Sequence, residues 1–298
     1  MTKMDVILGP LSKSLAIAFL VSMSLSIGLE VTWRQVKELL RHKGLLLRAL
    51  AVNIVLVPLL GVILVWIFPM PRDFEIAFLL LAAAPGAPSA IRYTRNQSED
   101  APFAAGLAML LICAAIIFTP VLAEIMLPLE ARVTIPYDQI ATVLVLYVIL
   151  PGAIGVTLQR WGEESDMIGR MSLMSARLFF AAWMLITFFE QSNATRRMGV
   201  RTLAAMLCLI AGSMILGWLM GGPKHENRRI LASATSMRNV ALCAAITLRS
   251  FPGTGVALAL VAFSSMMATP ASTLVFYEKY KKRRAKGLAT SLRRSSSF

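Results

Sequence analysis

Nine mainly apolar stretches, each close to the length of a bilayer-spanning helix, follow one another along the 298 residues, separated by short polar and basic loops. Their bounds are roughly 14–31, 45–69, 74–92, 101–128, 137–159, 171–189, 199–221, 228–249 and 253–277. About 20 residues rising about 1.5 Å each cross the hydrocarbon core, where only helices or closed barrels satisfy their backbone groups. The pattern predicts nine transmembrane helices.

Two stretches interrupt their own apolar pattern. The third reads Leu81-Ala82-Ala83-Ala84-Pro85-Gly86-Ala87-Pro88-Ser89. Two prolines and a glycine in the middle of a span remove backbone hydrogen bonds that lipid does not replace. The candidates are a simple proline kink or a broken helix whose ends face a cavity. The eighth carries Thr235-Ser236-Met237-Arg238-Asn239 near its centre. Arg238 lies nine residues after Arg229 and eleven before Arg249, on the order of 14 Å from either along a helix, too far to snorkel to an interface. A charge at that depth costs at least about 2.5 to 3.5 kcal/mol on insertion scales and faces a partner or a cavity.

The fourth and ninth stretches echo each other 150 positions apart: Pro102 with Pro252, Leu110 with Leu260, Thr119-Pro120 with Thr269-Pro270. They lie an odd number of spans apart, so the second copy crosses in the opposite direction. That is the inverted repeat of secondary transporters. The expected organisation is one transmembrane domain over 1–298, with a first half at about 14–128, an inverted second half at about 137–277, and a basic tail at 278–298.

Composition changes the picture only by naming the solvent. With 57% hydrophobic and 15% charged residues and a mean hydropathy of +0.69, the chain belongs in a membrane. Its net charge of +14 points to anionic lipid and cytoplasmic loops rather than to nucleic acid. Alternate loops collect 21 of the Lys and Arg on one face against 8 on the other, leaving Arg238 inside a span. The positive-inside rule then places the amino terminus outside and the carboxy terminus in the cytoplasm of a plasma or inner membrane. The first span, followed by a basic loop, is read as retained and not as a cleaved signal. Cys113, Cys208 and Cys243 fall within apolar runs and read as small hydrophobes, so neither a disulfide framework nor a metal site is expected, and no cofactor. An enzyme is disfavoured because no span interior sets a nucleophile beside a base or gathers metal ligands. Asn193-Ala194-Thr195 is a glycosylation sequon on the outer side.

What the span interiors lack narrows the chemistry. Glu30, Glu75, Glu124 and Glu190 lie at or near span ends, so no central carboxylate neutralises Arg238, and both histidines sit in loops. Either carbonyls and hydroxyls at the end of a neighbouring broken helix solvate the guanidinium, or an anionic ligand supplies the negative charge. Proton relay through a buried acid has no support.

These motifs resemble the bile acid:sodium symporter family, in which two crossed, broken helices, one per inverted half, form the ion and substrate sites. The family's Pro-Gly-Gly, two residues, then Ser-Asn meets Pro85-Gly86-Ala87-Pro88-Ser89-Ala90-Ile91 here. Its Glu-x-x-Met-Gln-Asn meets Ala234-Thr235-Ser236-Met237-Arg238-Asn239, matching at Met237 and Asn239. Asn53, five before Pro58, stands for a family glutamine, and the segment order corresponds to nine-span members lacking an extra amino-terminal helix.

The resemblance implies an all-α carrier for a small organic anion. Its usual sodium ligands correspond to Ala90, Ile91, Ala104, Ala108 and Ala234, which offer no side-chain oxygen. Sodium is therefore not expected as a partner in the family manner, and Arg238 is expected to replace the cation. The expected substrate contacts are Arg238 as anion partner with Thr235, Ser236, Asn239, Ser89 and Asn53, around the broken-helix backbone of Pro85, Gly86 and Pro88. A membrane ligand sensor without flux and a sodium symporter with unusual ligands remain as alternatives.

Overall fold

The computed structural model describes residues 3–30, 41–86, 101–127, 142–190, 199–251 and 254–267, and every regular element among them is helical. Helix α1 spans Lys3–Glu30. The second predicted span is one rod in three parts: α2 (Lys43–Ala51), a π-helical turn (Val52–Leu56) and α3 (Val57–Ile67). The widened turn follows from Pro58, which has no N–H to return to the preceding turn. The fifth span repeats the device, a π-helical turn at Val145–Ile149 leading into α6 (Leu150–Leu158) with Pro151 as its second residue. The remaining elements are α4 (Arg72–Ala83), α5 (Ala101–Met126), α7 (Glu163–Glu190), α8 (Val200–Met220), α9 (His225–Ser236), α10 (Val240–Ser250) and α11 (Val256–Met267).

Six of these rods are long and apolar enough to cross a membrane, and α11 is a shorter apolar helix. The nine predicted spans do not all become unbroken rods. The third and eighth are interrupted, and the ninth continues beyond the described residues. Large apolar side chains such as Ile117, Ile125, Leu185, Phe189 and Leu219 stand exposed around the outside, as lipid-facing residues do.

Three contacts bring together helix ends that are distant in sequence. The Asp73 carboxylate at the start of α4 accepts a hydrogen bond from the Gly255 N–H just before α11, at 3.0 Å. At the opposite face Gln159 donates to the Gly28 carbonyl at 2.8 Å, and the Arg48 guanidinium lies beside Gly222.

Two groups of helices emerge from the packing. In the first, α1 lies along α7 and α6. Its close fit depends on glycine: a Cβ on Gly155 would meet the Leu25 carbonyl oxygen at 2.5 Å and the Leu29 nitrogen at 2.8 Å. Small residues of this kind let membrane helices approach to backbone contact. The second group holds α2 to α5 and α8 to α10, with α8 packed on α9 and on α3. Helix α4 is its centre, with Phe74 and every residue from Ile76 to Ala83 buried. A helix apolar on all sides can only be satisfied there.

Candidate functional site

Helices α4 and α9 are both 12 residues long, and both stop in mid-protein in extended backbone. In α4 the stop comes with Pro85 and with Gly86 at positive φ behind it. The residue before a proline avoids the helical region, and Ala84 sits at φ −110°, ψ 86°. In α9 no proline follows, and Met237 at φ −93°, ψ 119° leads instead to Asn239, whose side-chain oxygen caps α10 by accepting from the Leu242 N–H at 3.0 Å. The two extended pieces pair antiparallel at Pro85 and Arg238, each two residues past its helix end. The third and eighth spans are therefore broken and crossed. Gly86 makes the crossing possible: its φ is +76°, and a Cβ there would lie 2.6 Å from the Leu111 backbone of α5.

A helix ending inside a membrane protein leaves carbonyls without partners, and each left bare in an apolar surround costs several kcal/mol. At the end of α4 they are answered one by one. Leu80 O receives the Cys243 thiol at 3.4 Å, Ala83 O the Thr119 hydroxyl at 2.9 Å, and Ala84 O the Asn239 N–H at 2.9 Å. Arg238 serves the other two, donating through Nε to Leu81 O at 2.9 Å and through Nη2 to Ala82 O. Its Nη1 turns the other way, to Asn53 Oδ1 at 3.1 Å and to Thr235 O near the end of α9 at 3.4 Å. The guanidinium thus bonds the carboxyl-terminal ends of both half-helices and the π-helical turn of the second span.

Electrostatics favours this placement. Each helix carries about half a negative charge at its carboxyl end, so α4 and α9 together offer roughly one unit to a cation between them. Arg238 is 1% exposed, and among the described residues its acceptors are carbonyl and amide oxygens, with no carboxylate.

Three predicted site residues, Arg238, Asn53 and Thr235, are brought together, and Asn53 Nδ2 also donates to Thr235 Oγ1 at 3.2 Å and to Ala49 O at 3.0 Å. Pro85 and Gly86 form the crossing. Asn239 adjoins it but spends its side-chain oxygen on the α10 cap, and Ser236 donates back to Ser233 O at 3.1 Å within its own helix. Pro88 and Ser89 lie outside the described residues, as do Ala90, Ile91 and the sequon at Asn193. Of the two sequence readings of Arg238, solvation by carbonyls of the neighbouring broken helix is the one this conformation adopts. Three groups escaped the sequence reading: Thr119, Cys243, and Met267, whose sulfur accepts the Arg238 N–H at 3.1 Å. Only Thr119 left a signal, as a member of the repeated Thr-Pro pair.

The model of the Sodium Bile acid symporter family matches residues 17–211, more than half of the chain, and ends before the helix that precedes Arg238. A comparison with curated proteins gives no match. With its apolar helices, its two interrupted segments and this match, the chain belongs to the sodium bile acid symporter family, whose members are membrane transporters of the bile acid or organic anion type.

Proposed function

We propose that the protein carries a small organic anion by alternating access, without coupling to sodium in the family's usual manner, and that Arg238 is the fixed positive charge at the centre of the carrier. The observation that carries this reading is the guanidinium itself, held by helix-end carbonyls and an amide where the two broken spans cross. Ala234, in the place of the family glutamate, is fully buried and has no oxygen to give. A sodium ion 4 Å from the guanidinium would be repelled by about 4 kcal/mol at an effective dielectric of 20.

Direct contact between Arg238 and the anion was the sequence expectation, and the burial of the guanidinium refines it. The charge acts through its field: at 8 Å and the same dielectric a carboxylate is attracted by at most about 2 kcal/mol, reduced by what the two half-helix ends offset. The amino-terminal end of α10 lies beside the crossing and adds to the same potential. Thr235, Ser236, Asn239 and Asn53 are the polar groups beside the crossing for hydrogen bonds to the substrate, and Ser89, three residues after Gly86 in sequence, is the fifth. The two helical groups described above are the bodies that move, and the charge bias of the loops supports a cytoplasmic carboxy terminus in a plasma or inner membrane.

The test uses the purified full chain with a panel of carboxylates and sulfonates, followed by thermal shift and by flux into liposomes. Equal affinity in sodium and in choline buffer is expected, and a steep sodium dependence would refute the reading.

A further inference from the structure

The two helical groups meet along a seam that the crossing does not use. Helix α1 touches the second group mainly through α10 and makes no comparable contact with α9. In this seam Trp183 of α7 is 1% exposed and, with Ala16 of α1, packs against Ala244 of α10 and Val261 of α11. Phe19 and Phe180 hold the indole within its own group, with ring centroids 6.3 and 6.0 Å away. The small side chains of Ala16 and Ala244 give the ring a flat seat. Ala244 lies six residues beyond Arg238 along α10, about 9 Å toward the face that carries Asp73 and Gly255. The seam is therefore closed on that side of the crossing.

Buried hydroxyls lie one turn farther toward the same face. Thr187 follows Trp183 by four residues and Thr247 follows Ala244 by three, with exposures of 1% and 2%. Neither hydroxyl has a hydrogen-bond partner among the described residues. A threonine within a helix ordinarily returns its hydroxyl to the preceding turn, and these two do not. Helices α7 and α10 both run toward this face, which sets the two hydroxyls at a similar depth just beyond the indole.

We propose that Trp183 is a gate: seated on Ala244 and Val261 it closes the seam on the face of Asp73 and Gly255, and when it withdraws Thr187 and Thr247 supply hydroxyls to the polar atoms of the passing substrate. The proposal rests on the alternating-access reading above, but its test needs no substrate and so fails or stands independently of the anion assignment.

The full chain is reconstituted in liposomes with Cys113, Cys208 and Cys243 replaced by serine, and labelled with a membrane-impermeant maleimide in variants carrying Thr187→Cys, Thr247→Cys or, as a control in α8 away from the seam, Ser213→Cys. With Trp183 in place all three label slowly. Adding Trp183→Ala is expected to raise labelling at 187 and 247 by about tenfold or more through local opening, and Trp183→Phe by less, with labelling at 213 unchanged. Equal rates with and without the indole would overturn the gate. A rise at 213 matching that at 247 would also overturn it, since Trp183 would then be a packing residue whose loss loosens the whole fold.

Discussion

Arg238 bonds two helix ends and, on the proposed reading, also attracts the anion, and different substitutions separate the two. Lysine keeps the charge but, as a single ammonium, does not span the carbonyls of Leu81 and Ala82, Asn53 Oδ1 and Thr235 O together. Arg238→Lys is expected to lower the thermal midpoint in detergent while keeping most of the anion affinity. Arg238→Gln loses both, with about 1 to 3 kcal/mol of stability lost for each helix-end carbonyl left without a donor. Retained anion affinity in Arg238→Gln, measured on the folded fraction, would confine the residue to structure. Thr119→Val preserves shape and leaves Ala83 O bare, for an expected loss of about 1 to 3 kcal/mol in unfolding experiments. Much of this cluster was legible beforehand. Depth alone marked Arg238, and the family resemblance marked Asn53, five before Pro58, in the place of a family glutamine. Cys243 was not legible, and Thr119 only as half of the repeated Thr-Pro pair, because a hydroxyl or a thiol in an apolar run looks the same whether it caps its own helix or another one.

At the scale of elements, the broken spans show which interruptions a sequence announces. Pro85 disfavours a helical Ala84, and Gly86 and Pro88 follow it closely in sequence, so an interruption near the end of α4 was readable to within a few residues. Pro120, by contrast, stands alone, and its helix continues through it. The break after Ser236 has no proline. It depends on Asn239 capping a new helix and on Arg238 being drawn to carbonyls from a distant part of the chain, so it was visible only as a polar patch. The π-helical turns were not foreseen, although each stands just before a proline whose missing N–H accounts for it. Glycines allow a paired test. Gly86→Ala should be destabilised by about 1 to 3 kcal/mol from backbone conformation alone, and further by contact with Leu111, whereas Gly44→Ala, with open space around it, should be neutral or slightly stabilising. Thermal unfolding of the two variants side by side checks this.

For the whole molecule, the contacts of Asp73 with Gly255 and of Gln159 with Gly28 tie four chain ends to two faces. On the proposed orientation, the loop charges give the faces their sides. Single cysteines at Met70→Cys and Thr254→Cys are expected to label with an impermeant maleimide from outside the cell, and Gly44→Cys and Pro223→Cys only after permeabilisation. The opposite pattern would invert the topology without altering the fold. The division into two bodies could not be read from the spans themselves, which look alike in composition. It comes from which helices pack along α1 and which surround the buried α4.

The guanidinium between the half-helices is covalently part of the chain and never leaves with the substrate. On the proposed reading, such a carrier draws no free energy from an ion gradient, so net movement runs down the substrate's own electrochemical gradient. For a monovalent anion, an inside-negative potential of 100 mV contributes about 2.3 kcal/mol, a bias of roughly fiftyfold toward the outside. Replacing a dissociable ion by a tethered one would turn an accumulating pump into a release valve.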